Sequence, residues 1–230
     1  MRRVAAAIPA FQAAPSVGDV ARRTRLVLPD LLVVDDGSTD STAEEARRGG
    51  AEVHRVPTNR GKGAALRAAF HLLFGRGFSH VVTLDADGQH LPEEIPRLLD
   101  ADPEADLVLG TREHLFGEMG GVRRTSNRLS SWAISSVAGC RLPDVQTGFR
   151  LYAKRLIDVT GFPEPRFDAE SAVVVRAARH GLRIVTVPVR LGFADGRTTS
   201  HYRPLVDSVR IAAAVARARL ESRWAQPSSS

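Results

Sequence analysis

The sequence has almost no cysteine and few aromatic residues. Its single cysteine, Cys140, excludes an internal disulfide, and no second cysteine or paired histidine stands near it at metal-ligand spacing. A chain without disulfides fits a reducing, cytoplasmic compartment. Aromatic residues make up 6% of the chain, which gives little support for a nucleic-acid surface built from stacked aromatic rings. We therefore expect no nucleic acid partner.

Long apolar runs are also missing. No stretch approaches the roughly 20 apolar residues that a helix needs to cross a bilayer. The apolar segment Val4 to Ile8 stops at Pro9 and is shorter than the apolar region of a signal peptide. The sequence predicts a cytoplasmic protein that is soluble or peripheral on the inner face of a membrane.

The composition is that of a globular protein with a basic surface. Hydrophobic residues make up 43% and charged residues 25% of the 230 residues, and the net charge is +6. A basic chain favours an anionic partner; nucleic acid, phosphorylated metabolites and anionic lipid headgroups all qualify, and charge alone does not choose between them. Arginine, which suits planar contacts with phosphate, supplies most of the positive charge.

Short apolar runs alternate with amphipathic stretches along the first half of the chain. The predicted strands are Val4 to Ile8, Leu31 to Val34, Glu52 to Val56, Val81 to Leu84 and Asp106 to Leu109. The predicted helices are Val17 to Leu28, Ser41 to Arg48, Gly63 to Phe74 and Glu93 to Leu99. This alternation predicts an α/β fold with a mostly parallel sheet, which binds ligands outside the carboxyl ends of its strands.

The second half is less regular, and we expect it to belong to the same domain, residues 1–225, with a disordered tail at 226–230. Its predicted segments are a basic loop from Gly117 to Asn127, helices from Leu129 to Val137 and from Ala169 to His180, a strand from Ile184 to Val189, a polar stretch from Gly192 to Ser200 and a last helix from Leu205 to Arg223. The last helix carries an apolar stripe and a basic face. It either docks on the core or lies on a membrane surface.

Two acidic clusters follow two of the predicted strands. Asp35 and Asp36 end the second strand, where neighbouring side chains point to opposite sides, so one can anchor the loop while the other faces a ligand. Gly37 permits the turn. Asp85, Asp87 and Gln89 offer hard oxygen ligands in one loop, a set that suits Mg²⁺ or Mn²⁺ when phosphate fills other positions.

A glycine-rich loop, Asn59 to Ala65, lies between the acidic clusters. It departs from the dinucleotide-binding fingerprint because Leu66 stands where a third glycine is expected. It departs from the phosphate loop of nucleoside triphosphatases because no Ser or Thr follows Lys62. What remains is a turn with one cation at a helix start, which suits an anion without identifying it.

These segments occur in the order typical of one enzyme family. Val33 to Asp40, Asn59 to Ala65 and Asp85 to Pro92 resemble the successive signatures of family 2 glycosyltransferases, in particular the dolichyl-phosphate mannose synthase and polyprenyl-phosphate glycosyltransferase branch. The resemblance continues through further segments and spans nearly the whole chain: Gly110 to Arg112, Arg124 to Asn127, Asp144 to Arg150, Phe167 to Glu170 and Val187 to Val189.

The resemblance implies a GT-A fold, with a nucleotide-binding half and an acceptor-side half, and an inverting transfer of a hexose from a UDP- or GDP-sugar to a polyprenyl phosphate. It implies a divalent cation, Mg²⁺ or Mn²⁺, held on the donor diphosphate by Asp85, Asp87 and Gln89. The residues expected to bind the donor nucleotide are Pro9, Ala10, Asp36, Gly37, Lys62, Asp85 and Ala86.

The acceptor side follows from the same resemblance. The residues expected to position the acceptor phosphate are Arg112, Arg124, Arg150, Gln146, His201 and Arg203. Asp87 and Arg150 are expected to take part in catalysis. Asp168 and Glu170 are either a base near the acceptor or carboxylates that stabilise a helix N-terminus.

One departure bears on the donor. Family members usually carry Asn-Glu where this chain has Gln12 and Ala13, so a polar contact near the donor base is expected to be lost. The nearest alternative function is a glycosyltransferase with a hydroxyl acceptor. From other classes, a nucleotidyltransferase, a Rossmann-type oxidoreductase and a non-catalytic basic or nucleotide-binding module remain open. The sequence does not indicate the oligomeric state.

Overall fold

A seven-stranded sheet forms the centre of the protein, whose computed structural model describes residues 2–111, 145, 147–192 and 213–218. The strands are β1 (Val4–Ala10), β2 (Leu31–Asp35), β3 (Glu52–Arg55), β4 (His80–Thr83), β5 (Leu107–Thr111), β6 (Arg150–Ala153) and β7 (Ile184–Pro188). Their order in the sheet is β3-β2-β1-β4-β6-β5-β7. Only the two pairings of β6, with β4 and β5, are antiparallel, so the mostly parallel sheet expected from the sequence is confirmed.

Helices cover both faces of this sheet. They are α1 (Val17–Val27), α2 (Thr42–Arg48), α3 (Lys62–Gly75), α4 (Ile95–Leu99), α5 (Lys154–Thr160) and α6 (Asp168–Arg179), with a 3-10 turn at Pro92–Glu94 before α4. Residues 213–218 are also helical and are named α7. Because the central strands are buried on both sides, β1 and the first four residues of β2 are continuously apolar rather than alternating.

Each face of the sheet has its own core. Successive residues of a strand point to opposite faces, so Val34 of β2 packs with α3 and α6, whereas Val33 packs with α1 and α4. The first core contains a cluster of aromatic rings in which Phe70 contacts both Tyr152 and Phe162. Both cores lie directly behind the loops at the carboxyl ends of the strands.

The structure corrects three details of the predicted elements. Strand β6 and helix α5 were not predicted, because β6 is only four residues long and begins with a charged residue, Arg150. The helix predicted from Glu93 to Leu99 is instead the 3-10 turn followed by the five-residue α4. Pro96 lacks a backbone N–H, and it stands where a continuous helix would require one.

Some predicted segments lie outside the described residues. These are the loop Gly117 to Asn127, the helix Leu129 to Val137, all of Gly192 to Ser200 except Gly192, and the tail. Of the last predicted helix the structure describes only α7, where Ala214, Val215 and Ala218 pack on the core. This part of the helix therefore docks on the core, but not through the apolar stripe predicted from the sequence (Leu205, Val209, Ala212, Ala216 and Leu220), because Ala216 is exposed. No helix among the described residues is long and apolar enough to span a membrane.

Candidate active site

The loops of the site converge because β6 runs antiparallel to its neighbours. Strands β1, β2 and β4 end at one edge of the sheet, and β6 begins there, with Arg150 opposite Thr83. The hydroxyl of Thr83 donates a hydrogen bond of 2.8 Å to the Gly148 carbonyl. The loop after β4 and the segment before β6 are thus held side by side, although 65 residues separate Thr83 from Gly148.

Asp35 and Asp36 both have partners within the protein. The buried Asp35 accepts a hydrogen bond from the Ser38 N–H at 2.9 Å, and Arg55 lies 3.3 Å from its other oxygen. Asp36 accepts hydrogen bonds from the N–H groups of Arg60 and Gly61 at 3.0 and 2.7 Å. Burial raises the pKa of Asp36, while these two N–H donors oppose that shift. Asp36 therefore holds the glycine-rich loop against the end of β2.

Gly37 has the conformation that its turn requires. Its φ of +75° lies in the left-handed region, and a Cβ there would come within 2.6 Å of the Thr58 carbonyl carbon. Both facts demand glycine. The turn after β2 consequently packs directly against the loop that precedes α3.

Gln12 lies in the loop after β1, where the sequence led us to expect the loss of a polar contact. Its side-chain oxygen accepts hydrogen bonds from the N–H groups of Thr39 and Asp40 at 3.3 and 3.2 Å, and its amide donates to the Thr39 hydroxyl at 2.8 Å. Gln12 itself has a positive φ of 51°. The side chain thus ties the loop after β1 to the turn after β2, a role that the sequence analysis did not find.

The other residues expected at the donor lie on the same edge. Pro9 and Ala10 end β1 opposite Val34 and Asp35 of β2. The carbonyl of Ala86, in the loop after β4, accepts a 2.6 Å hydrogen bond from the Ser16 hydroxyl. The structure therefore brings together the ends of three strands on which the predicted nucleotide-binding residues lie.

Lys62 connects two carboxylates from different parts of the chain. Its Nζ lies 2.7 Å from Asp85 Oδ1 and 2.9 Å from Glu170 Oε2, and its side chain is largely buried. Burial alone would lower the pKa of Lys62, but the charges and hydrogen bonds of these two carboxylates raise it above its ordinary value. The ammonium is therefore charged, and it joins the loop after β4 to the first turn of α6.

The loop after β4 fits a divalent cation. Burial, and then the negative charge of Asp85, raise the pKa of Asp87, so a cation beside this pair of carboxylates would stabilise its charged form. Hard oxygen ligands with excess negative charge suit Mg²⁺ or Mn²⁺. The described residues contain no group of three or more His, Cys, Asp or Glu side chains arranged to hold a metal. Asp85 and Asp87 would thus be completed by Gln89, water or ligand oxygens.

His90 supports this loop from behind. Its buried ring stacks on Phe149 with 5.4 Å between centroids, and Nδ1 lies 3.0 Å from the Asp85 backbone nitrogen. Because Nδ1 accepts that N–H, we assign the neutral tautomer, in which the 3.7 Å approach of Nδ1 to the Asp85 carboxylate is not an ion pair. The backbone of Gln89 is fixed as well, since its carbonyl accepts a 2.9 Å hydrogen bond from Gly192.

Gly148 lies against the charged pair of Asp85 and Lys62. A Cβ on Gly148 would come within 2.6 and 2.7 Å of the two Asp85 carboxylate oxygens and 2.7 Å of Lys62 Nζ. Only a residue without a side chain leaves these groups in place. Gly148 lies in the motif Asp144 to Arg150, but its role depends on a contact with a distant loop that no local pattern indicates.

Arg150 is placed differently from the expectation that it meets a phosphate. It is completely buried, and its guanidinium donates hydrogen bonds of 2.7 Å to the carbonyls of Thr147, Glu170 and Val145. A guanidinium that is directed at three backbone carbonyls braces the segment before β6 against α6. It does not face an acceptor.

Asp168 and Glu170 lie on the first turn of α6, as the alternative of helix N-terminal carboxylates predicted. Each has one carboxylate oxygen that is buried without a hydrogen-bond partner in the structure, Oδ1 of Asp168 and Oε1 of Glu170. Glu170 is linked to the loop after β4 by its salt bridge with Lys62. The residues Arg112, Arg124, Gln146, His201 and Arg203, which were expected to bind the acceptor phosphate, lie outside the described residues.

Comparison with known proteins relates the chain to sugar-transferring enzymes. A family model described as Glycosyl transferase family 2 matches residues 6–161. The chain is 37% identical over 202 residues to an undecaprenyl-phosphate mannosyltransferase from Micrococcus luteus, covering 81% of this chain and 82% of the relative. It is 31% identical over 208 residues to a polyprenol monophosphomannose synthase from Mycolicibacterium smegmatis, covering 82% and 77%.

Solved structures share the fold. Glucosyl-3-phosphoglycerate synthase from Mycobacterium tuberculosis in complex with UDP superposes with a TM-score of 0.70 at 23% identity, covering 95% of this chain and 80% of that one. The same enzyme in complex with Mn²⁺, UDP and phosphoglyceric acid gives a TM-score of 0.72 at 22% identity, covering 95% and 78%.

Proposed function

The chain belongs to glycosyl transferase family 2, and from this premise we propose that it transfers a hexose, with inversion, from a UDP- or GDP-sugar to a polyprenyl phosphate. The observation that carries the proposal is the match, over about four-fifths of the chain, to two relatives named for mannose transfer to polyprenyl phosphates. The GT-A fold agrees with this assignment. The residues around Asp85 supply the chemistry.

The donor would lie across the carboxyl ends of β1, β2 and β4. Asp36 holds the glycine-rich loop, and Gly37 closes the turn beside it, which supports a nucleoside site lined by Pro9, Ala10, Asp36 and Gly37. Asp85, Asp87 and Gln89 would hold Mg²⁺ or Mn²⁺, which supplies positive charge to the leaving diphosphate. Lys62 adds a positive charge on the same side.

A phosphate acceptor does not require a strong base. The second pKa of a phosphomonoester is about 6, so the attacking oxygen is already anionic near neutral pH. Glu170 is paired with Lys62, which supports a positioning role rather than proton abstraction. Asp168 remains the carboxylate to test if the acceptor is a hydroxyl compound. Arg112, Arg124, Gln146, His201 and Arg203 are proposed to position the acceptor phosphate.

A polyprenyl acceptor also implies contact with a membrane. The net charge of +6 supports peripheral association with an anionic lipid surface. In α7, Ala214, Val215 and Ala218 already pack on the core, while Arg217 is exposed. Charge, rather than an inserted apolar face of α7, would therefore drive the association.

The test is a transfer assay with the purified chain, Mn²⁺, radiolabelled UDP- or GDP-hexoses and undecaprenyl phosphate in detergent. We expect label to move into the organic phase with one of the two nucleotides, and not with undecaprenol, which lacks the phosphate. Transfer to soluble hydroxyl compounds but not to the lipid phosphate would instead identify the alternative acceptor. Absence of transfer from every donor would reject the proposed function.

A further inference from the structure

The ammonium of Lys62 forms salt bridges with two carboxylates, Asp85 and Glu170. Lys62 is the first residue of α3, and its ammonium lies between Asp85, in the loop after β4, and Glu170, on α6. Asp85 is also a proposed ligand of the divalent cation. The ammonium is therefore bound to one of the carboxylates that would bind the metal.

The carboxylate of Glu170 can accept a further hydrogen bond. Its side chain is 5% exposed, and Oε2 is 2.9 Å from Lys62 Nζ. Its other oxygen, Oε1, is buried without a hydrogen-bond partner in the structure. A buried carboxylate oxygen without a donor is unfavourable, so Glu170 attracts the ammonium.

The Lys62 ammonium and a divalent cation would compete for the carboxylate of Asp85. Oxygen ligands bind Mg²⁺ at about 2.0–2.1 Å, so a metal on the Asp85 carboxylate would lie within a few ångströms of Lys62. Like charges at such a distance repel strongly in a partly buried site. A metal therefore binds more favourably the further Lys62 moves from Asp85 towards Glu170.

We propose that Glu170 is a positioning residue that draws the Lys62 ammonium away from Asp85 and thereby sets the affinity of the loop after β4 for a divalent cation. This inference rests on the proposed function, because the cation is the one that would hold the donor diphosphate. Glu170 acts through Lys62 and needs no contact with the metal or the sugar.

The experiment measures binding of Mn²⁺ alone, without donor, from the free Mn²⁺ signal in electron paramagnetic resonance. Lys62→Met removes the competing charge, and we expect it to bind Mn²⁺ at least about tenfold more tightly than the unmodified chain, a gain of about 1.4 kcal/mol. Glu170→Gln leaves Lys62 to Asp85 alone, and we expect it to bind Mn²⁺ several-fold more weakly.

The double variant separates a role through Lys62 from a general effect of charge. If Glu170 acts through Lys62, adding Glu170→Gln to Lys62→Met changes Mn²⁺ affinity much less than Glu170→Gln does alone. Additive effects would mean that Glu170 acts directly by its charge, and would overturn the inference. So would a Lys62→Met chain that binds Mn²⁺ no more tightly than the unmodified one.

Asp168→Asn is the matched control. It removes the same charge from the same turn of α6, and we expect it to leave Mn²⁺ affinity unchanged; a shift equal to that of Glu170→Gln would contradict the proposal. Thermal melting checks each fold, and Glu170→Gln tests the inference even if Lys62→Met does not fold. Because the unmodified chain's transfer activity is assayed separately, failure of this inference is distinguishable from failure of the proposed function.

Discussion

Gly148→Ala should disable the site while leaving the fold almost unchanged. The added Cβ would come within 2.6 Å of an Asp85 carboxylate oxygen and 2.7 Å of Lys62 Nζ, whereas real contacts of this kind essentially never fall below 3.0 Å. Asp85 must therefore retreat by at least about 0.4 Å, and Lys62 must move as well. Gly148 does not have a positive φ, so alanine is compatible with its backbone.

The size of the effect follows from what these groups do. Displacements approaching 1 Å at a reacting centre cost up to about 100-fold in rate. Weakening one hydrogen bond to a charged group corresponds to about 1.5–3 kcal/mol, or about 10- to 100-fold. We therefore expect kcat/KM for sugar transfer to fall by about 10- to 100-fold, with a melting temperature within a few degrees of the unmodified chain.

The matched control is Gly75→Ala, at the end of α3, where an added Cβ would meet nothing within 4 Å. Alanine favours a helix by up to about 1 kcal/mol over glycine, so this variant should be at least as stable and fully active. The assay compares kcat/KM and melting temperature for the two variants. Full activity of Gly148→Ala would refute the claim that Asp85 and Lys62 must keep their positions.

Three further predictions concern the metal, the glycine-rich loop and the core. Chelation by EDTA should abolish transfer, and added Mn²⁺ or Mg²⁺ should restore it; full activity in EDTA would contradict the metal assignment. Asp36→Asn replaces one carboxylate oxygen, which accepts an N–H from Arg60 or Gly61, with an NH2 group that cannot accept one. We expect a loss of about 1–3 kcal/mol in the free energy of unfolding, measured in urea, and a higher KM for the donor. Glu164→Gln removes the charge of a buried carboxylate that binds the buried guanidinium of Arg176 through both of its oxygens, and it should destabilise the fold by about 3–5 kcal/mol; an unchanged urea midpoint would refute that.

Local patterns were enough to predict that the two acidic loops lie at one edge of the sheet. Apolar runs that end in carboxylates placed Asp36, Asp85 and Asp87 at the carboxyl edge of a parallel sheet, and the structure has them there. The turn residues, such as Gly37, were informative because their backbone requirement is local. The sequence did not predict the separate contacts of Asp35 and Asp36, because both carboxylates bind backbone or side-chain groups of the protein.

The remaining features depend on contacts between distant segments. Strand β6 is too short to show a period of its own, and its place between β4 and β5 is set by pairing. The link from Lys62 to Glu170 joins α3 to α6. The burial of Arg150 depends on carbonyls that only the folded chain presents to it. From residue type alone, an arginine that binds backbone carbonyls could therefore not be distinguished from one that binds a phosphate.

The direction of β6 also decides which end of the segment before it meets the carboxylates. In the described chain β5 ends at Thr111 and β6 begins at Arg150, and Leu109 pairs directly with Arg150. A strand of four residues spans about 13 Å, so a parallel β6 would begin about that far from the edge where Thr83 ends β4. Gly148 would then lie a strand length away from Asp85 and Lys62. The reversal of one short strand is therefore what lets a sheet of otherwise parallel strands place a glycine beside these charged groups.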